Sequence, residues 1–379
     1  MPDKKLGFGL MRLPVLSSED RGQIDYDKLY RMVDTFLSRG FTYFDTAWMY
    51  HNFQSEPALK RAVIDRYPRD SFTVATKMPT MMLTYPKEQE DIFEQQLQKT
   101  GAGAFDYYLL HDLNVVTYKT VSDYSTIPYL EAQRAAGRIR KLGFSFHDSA
   151  AFLDKILTEH PDMDFVQLQI NYLDWDNPGI QSRKCYETAR RHGKPVIIME
   201  PVKGGTLASL LPAAEKIFRS VHPDWSPASW AIRFAASLEG VMVVLSGMST
   251  EEQLEDNTSY MQDFKPLTEE ELKAVWQVRD ILLNTTEIPC TGCRYCVEAN
   301  TCPMNIPIPD FFALYNTEQQ DTNGLWSPQI EYYLNLVTHG AGKASDCIRC
   351  RGCEAMCPQR LPITDLLEKV AVTLEVEQD

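Results

Sequence analysis

No apolar run in this 379-residue sequence approaches the roughly 20 residues needed to cross a bilayer; the best, from Gly240 to Leu245, is strand-sized. The start, Met1-Pro-Asp-Lys-Lys, leads into structured-looking sequence without the apolar core of a secretory signal, so the expected location is cytoplasmic. Basic residues are also short: 38 Lys and Arg against 52 Asp and Glu leave a net charge of −14. Nucleic-acid binding, which needs a basic surface to neutralise phosphates, is excluded as an expectation, as is a membrane partner. Cysteine is almost absent from the first 289 residues, where only Cys185 occurs, on a helix beside Tyr186 and readable as a small buried hydrophobe. A G-x-G-x-x-G turn after the first strand is missing too, which weakens a doubly wound dinucleotide fold. No flavin motif is visible.

What is present begins with an alternation. Short β-rich runs at Leu6–Gly9, Phe41–Asp45, Phe72–Lys77, Asp106–His111, Arg140–Ser145, Phe165–Ile170, Pro195–Glu200 and Val241–Ser246 are separated by longer stretches of helical period. Tyr26–Arg39, Glu88–Thr100 and Ile180–His192 are three of these, the last stopped by Gly193 and Pro195. Eight strands alternating with helices over about 240 residues predict an α/β (β/α)8 TIM barrel. Thr268 and Glu271 form a capping-box pattern that opens a helix to about Leu283. The expected organisation is a barrel over 1–265, a connecting helix over 266–289, and a smaller, mainly helical domain over 290–379.

That last segment holds the other eight cysteines. They read Cys290-x2-Cys293-x2-Cys296-x5-Cys302-Pro303 and Cys347-x2-Cys350-x2-Cys353-x3-Cys357-Pro358. Cysteines at i, i+3 and i+6 wrap three corners of one cube, whereas the fourth lies too far along the chain to close it. Zinc sites favour paired cysteines around a larger loop, a poor match. In a reducing compartment such a set points to metal rather than disulfides. The stretch resembles the ferredoxin family in its helical variant, with the expected helices near Pro309–Tyr315 and Gln329–Val337 in the spacer. The resemblance implies two [4Fe–4S] clusters with crossed ligation: Cys290, Cys293, Cys296 and Cys357 on one, and Cys347, Cys350, Cys353 and Cys302 on the other. The x5 gap before Cys302 departs from the usual x3.

In a barrel, chemistry belongs to the C-terminal ends of the strands. Those ends carry Asp45, Lys77, His111, Ser145, Gln167 and Glu200, with Tyr50 in the loop after the first. A buried Lys77 beside Tyr50 lowers the phenol pKa from about 10, Asp45 keeps Lys77 charged, and His111 orients a carbonyl oxygen that Tyr50 protonates. His51 and His147 face either the pocket or the core, and Met78, Met81 and Met82 line a substrate mouth or fill core.

Phe44-Asp-Thr-Ala-Trp-Met-Tyr50, Thr76-Lys77, Leu110-His111, Gly143-Phe-Ser145 and Val166-Gln167 resemble the aldo-keto reductases over about residues 5–260. The resemblance implies an oxidoreductase that moves hydride between NAD(P)H and a small carbonyl or alcohol, with Asp45, Tyr50, Lys77 and His111 as its tetrad. It also implies Ser145 and Gln167 on the nicotinamide carboxamide and Val202, Gly204 and Gly205 under the pyrophosphate. Ser246, Gly247, Ser249, Gln253 and Asn257 would meet the adenosine end. Three departures stand out. Phe146 replaces the Asn that usually follows the serine, and Glu200 replaces the aromatic that stacks on nicotinamide. Gly247 and Gln253 stand where the family often has cations for a 2′-phosphate, tilting the choice from NADP toward NAD.

Hydride moves two electrons and a cluster one, so the two halves admit three readings. The first is a carbonyl reductase whose clusters serve structure, regulation or docking. In the second, clusters relay electrons to or from the barrel, with a ferredoxin or redox enzyme as partner. The third is acid–base chemistry, such as elimination or epimerisation, with the cluster domain as a docking module.

Overall fold

The structure, a computed structural model, describes residues 4–17, 20–176, 180–283, 287–299, 302–320, 330, 333–334, 336–337 and 340–375. Eight strands, β1 (Leu6–Gly9), β2 (Tyr43–Asp45), β3 (Thr73–Met78), β4 (Phe105–Leu113), β5 (Ile139–Phe146), β6 (Phe165–Gln169), β7 (Val196–Met199) and β8 (Val241–Ser246), pair in sequence order into a closed barrel. Every pairing is parallel, including the closing β1–β8 pair. Helices cover the outer face, so strands are apolar on both sides; all nine residues of β4 are buried.

The interior layer is unusually aromatic. Tyr43, Tyr107 and Phe165 meet edge to face with centroids 5.2 Å apart in each pair. Space for the third ring comes from Gly143, where a Cβ would sit 2.5 Å from the Phe165 carbonyl oxygen.

Boundaries differ from expectation for local reasons. β7 excludes Pro195, which has no N–H to give the ladder, and Glu200, whose φ of 56° turns the chain away. β4 runs past His111 to Leu113 through an irregularity in its pairing with β5, where Asp112 takes a φ of 54°. β2 starts at Tyr43 rather than Phe41. The helix expected from Ile180 begins at Ser182, after Gln181 in the left-handed region. Helix Glu88–Thr100 is as expected and ends on Gly101, whose N–H bonds the Leu97 carbonyl.

Thr268 and Glu271 make the reciprocal bonds of a capping box, 2.6 Å from the Thr268 N–H to the Glu271 carboxylate and 3.3 Å from the Glu271 N–H to the Thr268 hydroxyl. Helix Glu269–Leu283 packs Ala274, Val275, Val278 and Leu282 into the barrel's outer core. A separate core follows, in which Ile306, Ile308, Phe311, Phe312, Ile363, Leu367 and Val370 surround Cys296 and Cys353. Helices Ile308–Gln320 and Ile363–Leu374 carry most of it. The first spacer helix thus extends beyond the expected 309–315, while the second, over 329–337, lies partly outside the described residues. Among the described residues no helix is long and apolar enough to cross a membrane.

The second core sits on the C-terminal face of the barrel. Arg360 reaches Asp148 at 2.7 Å and Arg21 meets Glu298 at 3.5 Å. Closest of all is Gly204, where a Cβ would stand 1.9 Å from the Thr291 carbonyl oxygen.

Candidate active site

Asp45 ends β2, Lys77 lies one residue from the end of β3, and the parallel register puts both at the barrel's upper rim. The Lys77 ammonium donates to Asp45 Oδ1 at 2.5 Å and to the Thr46 carbonyl at 2.7 Å, with both side chains buried. It stands 5.0 Å from the centre of the Tyr50 ring, and the His111 ring meets Tyr50 edge-on at 5.8 Å. The four side chains expected at one site are therefore neighbours.

Their electrostatics follow from burial and from one cation. Burial works against the Lys77 charge, but Asp45 and Tyr50 beside it raise the ammonium above its ordinary range. Burial pushes the Tyr50 phenol up; Lys77 pulls it down without overcoming burial. The net direction is opposite to the lowering that the sequence suggests, so the phenol holds its proton at neutral pH. His111 is driven well below the usual histidine range by burial, then by Lys77 and His147, and is a neutral imidazole with an unpartnered Nδ1. Behind Lys77, Glu56 accepts from Thr76 at 2.7 Å and from Gln96 at 2.6 Å, while Gln96 also bonds the Lys77 carbonyl at 3.0 Å. This buried network holds the β3 end in place and has no sequence motif.

Tyr50 and Asp45 open on a cavity of about 360 Å³. Gln167, Val202, Gly204, Gly205, Ser246, Gly247, Ser249, Gln253 and Asn257 all line it. Ser145 does not; its hydroxyl, turned to the β4 irregularity, accepts from the Asp112 N–H at 2.9 Å. Gln167 Oε1 is buried without a partner, and Asn257 Nδ2 donates to Ser246 at 2.9 Å. Glu200 does not fill an aromatic's place passively, since its carboxylate accepts the Gly204 N–H at 2.7 Å and so ties down the 202–205 turn.

Several wall residues have no counterpart in the sequence expectations. Arg12, which ends the single helical turn Leu10–Arg12 after β1, packs beside Gly247, and its Nη2 is buried with no acceptor. Thr291, Cys293, Tyr295, Pro358 and Gln359 come from the cysteine-rich domain and close the same cavity from above. Lys203, buried with Asp174 at 2.5 Å, lies beneath Gln359 at 3.5 Å. His147 lines the cavity, its imidazole pushed down to about 4 by burial. His51 is a strut: its Nε2 accepts the Leu13 N–H at 2.9 Å, leaving Nδ1–H to donate to the Arg21 carbonyl at 2.7 Å. Met78 is core, whereas Met81 and Met82 line a second cavity. Cys185 is core as well, its thiol pushed up to about 12 by burial.

In the cysteine-rich domain, Cys290, Cys293, Cys296 and Cys357 line one small enclosed space with Ile308, Phe312 and Ile363. Three of these belong to the first motif and one to the second. Cys347 and Cys350 lie close enough to Cys353 to act on its thiol electrostatically, as Cys353 does on Cys296.

Residues 289–361 match the model of the 4Fe–4S dicluster domain, which binds two [4Fe–4S] clusters. The barrel is similar in fold to an aldo-keto reductase from Bacillus halodurans in its holo form, with 21% identity and a TM-score of 0.56, covering 72% of this chain and 91% of that one. An aldo-keto reductase from Klebsiella pneumoniae, solved with NADPH, superimposes with 17% identity and a TM-score of 0.57, covering 73% and 90%. A thermostable aldo-keto reductase in complex with the inhibitor epalrestat follows at 18% and 0.54, covering 72% and 94%. No curated protein matches the chain. Residues 5–280 match the model of the aldo/keto reductase family, and the chain belongs to that family of oxidoreductases, carrying a 4Fe–4S dicluster domain at its C-terminal end.

Proposed function

We propose that the protein reduces a small carbonyl compound, or oxidises the matching alcohol, in an NAD(P)H-linked reaction with Tyr50 as proton donor. One observation carries this reading: a protonated Tyr50 backed by the buried Asp45–Lys77 pair and a neutral His111 opens on the cavity lined by the turns expected to hold a dinucleotide. A bound nicotinamide supplies the hydride. The chain's own residues do the rest. His111 donates a hydrogen bond to the carbonyl oxygen and orients it. Tyr50 gives that oxygen its proton, and the Lys77 ammonium stabilises the phenolate left behind. Asp45 keeps Lys77 charged in a site where burial alone would neutralise it.

The free Gln167 acceptor suits a carboxamide N–H, and Gly205, at positive φ with open space beside it, suits a pyrophosphate passing close to backbone, whereas Gly204 is taken up by Thr291 and Glu200. Ser246, Ser249, Gln253 and Asn257 remain for the adenosine end. Arg12 supplies a cation beside Gly247 that neighbouring sequence does not show, which supports NADPH over NADH as the preferred donor. The complex of the Klebsiella relative with NADPH points the same way.

Cys290, Cys293, Cys296 and Cys357 hold one cluster and Cys302, Cys347, Cys350 and Cys353 the other; the enclosed space shared by the first four supports the crossed pairing. Tyr50→Phe is the test. It should cut NADPH-linked aldehyde reduction by about 10²–10⁴ in kcat while iron content and NADPH binding stay at wild-type levels; retention of activity would remove Tyr50 from its role.

One observation favours a second reading. Cys293 and Tyr50 line the same cavity, so electrons from an external one-electron donor such as a ferredoxin have a short route to the site. Dithionite-reduced protein whose reoxidation is quickened by substrate supports that route; reoxidation indifferent to substrate excludes it.

A further inference from the structure

Tyr50 belongs to the walls of two cavities. Besides the one described above, it faces a second of about 340 Å³ lined by Met11, Met49, Phe53, Met81, Met82 and Tyr295. Tyr295 is the other aromatic shared by both walls. It lies between Cys293 and Cys296, so its position is set by the cysteine-rich segment, and its ring meets His147 edge-on at 6.3 Å.

The chemistry of this second cavity is narrow. Four thioethers and a phenylalanine make its wall deformable and apolar. Its two charged lining residues, Arg21 and Glu298, pair with each other at 3.5 Å. His51 has both ring nitrogens engaged, by the Leu13 N–H and the Arg21 carbonyl. Phe53 and Met82 are 41% and 37% exposed, which leaves an apolar lip at the mouth. The remaining polar lining is Asn52, whose amide donates to Asp20 at 3.4 Å, and the two tyrosines, which stand where the two cavities meet.

We propose that this second cavity receives the organic substrate, an aryl or long-chain alkyl carbonyl compound, and that Tyr295 positions it against Tyr50. The substrate site is then completed by the cluster domain and does not exist on the barrel alone. This rests on the carbonyl-reduction reading, so the experiment separates binding from turnover. Holoprotein carrying Tyr50→Phe, which still folds around the same wall, is titrated calorimetrically with 2-naphthaldehyde and with propionaldehyde, without dinucleotide. The larger aldehyde should bind and the smaller should not saturate. Adding Tyr295→Ala should weaken naphthaldehyde binding about tenfold at unchanged iron content, while Tyr295→Phe should leave it within about twofold, since the ring is kept. Met82→Glu attacks the same cavity from the barrel side and should weaken binding comparably, which keeps the test sound if Tyr295→Ala loses iron. No binding to the Tyr50→Phe protein, or equal binding when both Tyr295→Ala and Met82→Glu are introduced, overturns the proposal. Binding without wild-type NADPH-linked turnover leaves the proposal standing and removes the carbonyl-reduction reading instead.

Discussion

Asp112 shows how one residue sets both geometry and pH response. Its left-handed φ creates the irregularity that lengthens β4, and its N–H takes up the Ser145 hydroxyl. Its carboxyl, buried beside Asn114, is pushed up to about 7 by burial. In the unfolded chain the same group releases its proton near 3.9. Between those values the folded state binds more protons, so this group's stabilising contribution is present below about 4 and is lost as pH rises through about 7. Asp112→Asn should therefore leave Tm nearly unchanged at pH 4.5 and raise it at pH 8, as read by thermal unfolding in matched buffers. A Tm difference that is flat with pH would locate the effect elsewhere. At this scale the clustering of Asp45, Tyr50, Lys77 and His111 was legible, because each has a distinct chemistry and lies at the C-terminal end of a strand or in the segment just after one. Ser145 is also at a strand end, yet its hydroxyl is spent on Asp112, a local backbone event that residue type does not announce. The direction of the Tyr50 shift was illegible for a related reason: the sequence names the neighbouring lysine but not how deep the pair is buried.

At the scale of elements, the barrel's helices and strands follow from periodicity, caps and stops. Gly101 and Gly193 end helices where expected, and strand ends differ from expectation by one or two residues, with Pro195, Glu200 and Asp112 imposing backbone rules at three of them. The helix Glu269–Leu283 depends on its cap in a measurable way. Thr268→Ala removes the single hydroxyl that accepts the Glu271 N–H and also donates to the Glu271 carboxylate at 2.8 Å. A loss of about 1 kcal/mol is expected, seen as a lower denaturation midpoint with unchanged slope. Glu271 also meets His222 at 2.7 Å, so that partner keeps the carboxylate anchored and limits the loss. The helical spacer between the cysteine motifs was legible in kind but not in extent, since Ile308–Gln320 is held by packing of Phe311 and Phe312 in the second core rather than by a cap signal.

For the whole molecule, two blocks were plain in the sequence and their contact was not. Pattern within a segment reports on that segment; nothing in Thr291 or Tyr295 says which turn of a distant barrel it will meet. Gly204 is the sharpest measure of that contact. At φ 65° an alanine is strained, and its Cβ would collide with the Thr291 carbonyl. Gly205, at φ 110°, has nothing within 4 Å of a Cβ. Gly205→Ala therefore carries backbone strain alone, and Gly204→Ala strain plus displacement of the cysteine-bearing loop. Both should lower Tm, but only Gly204→Ala should also lower the iron bound per chain and alter the visible spectrum. Equal iron in the two variants would mean that the loop can yield without cost to the clusters.

The ceiling over Tyr50 is thus made of chain that lies among the cysteines, Thr291 to Tyr295 and Pro358 to Gln359, and not of a loop of the barrel. Whatever moves those cysteines moves the roof of the cavity with them, so the redox end of the molecule and the mouth of its barrel share one piece of polypeptide.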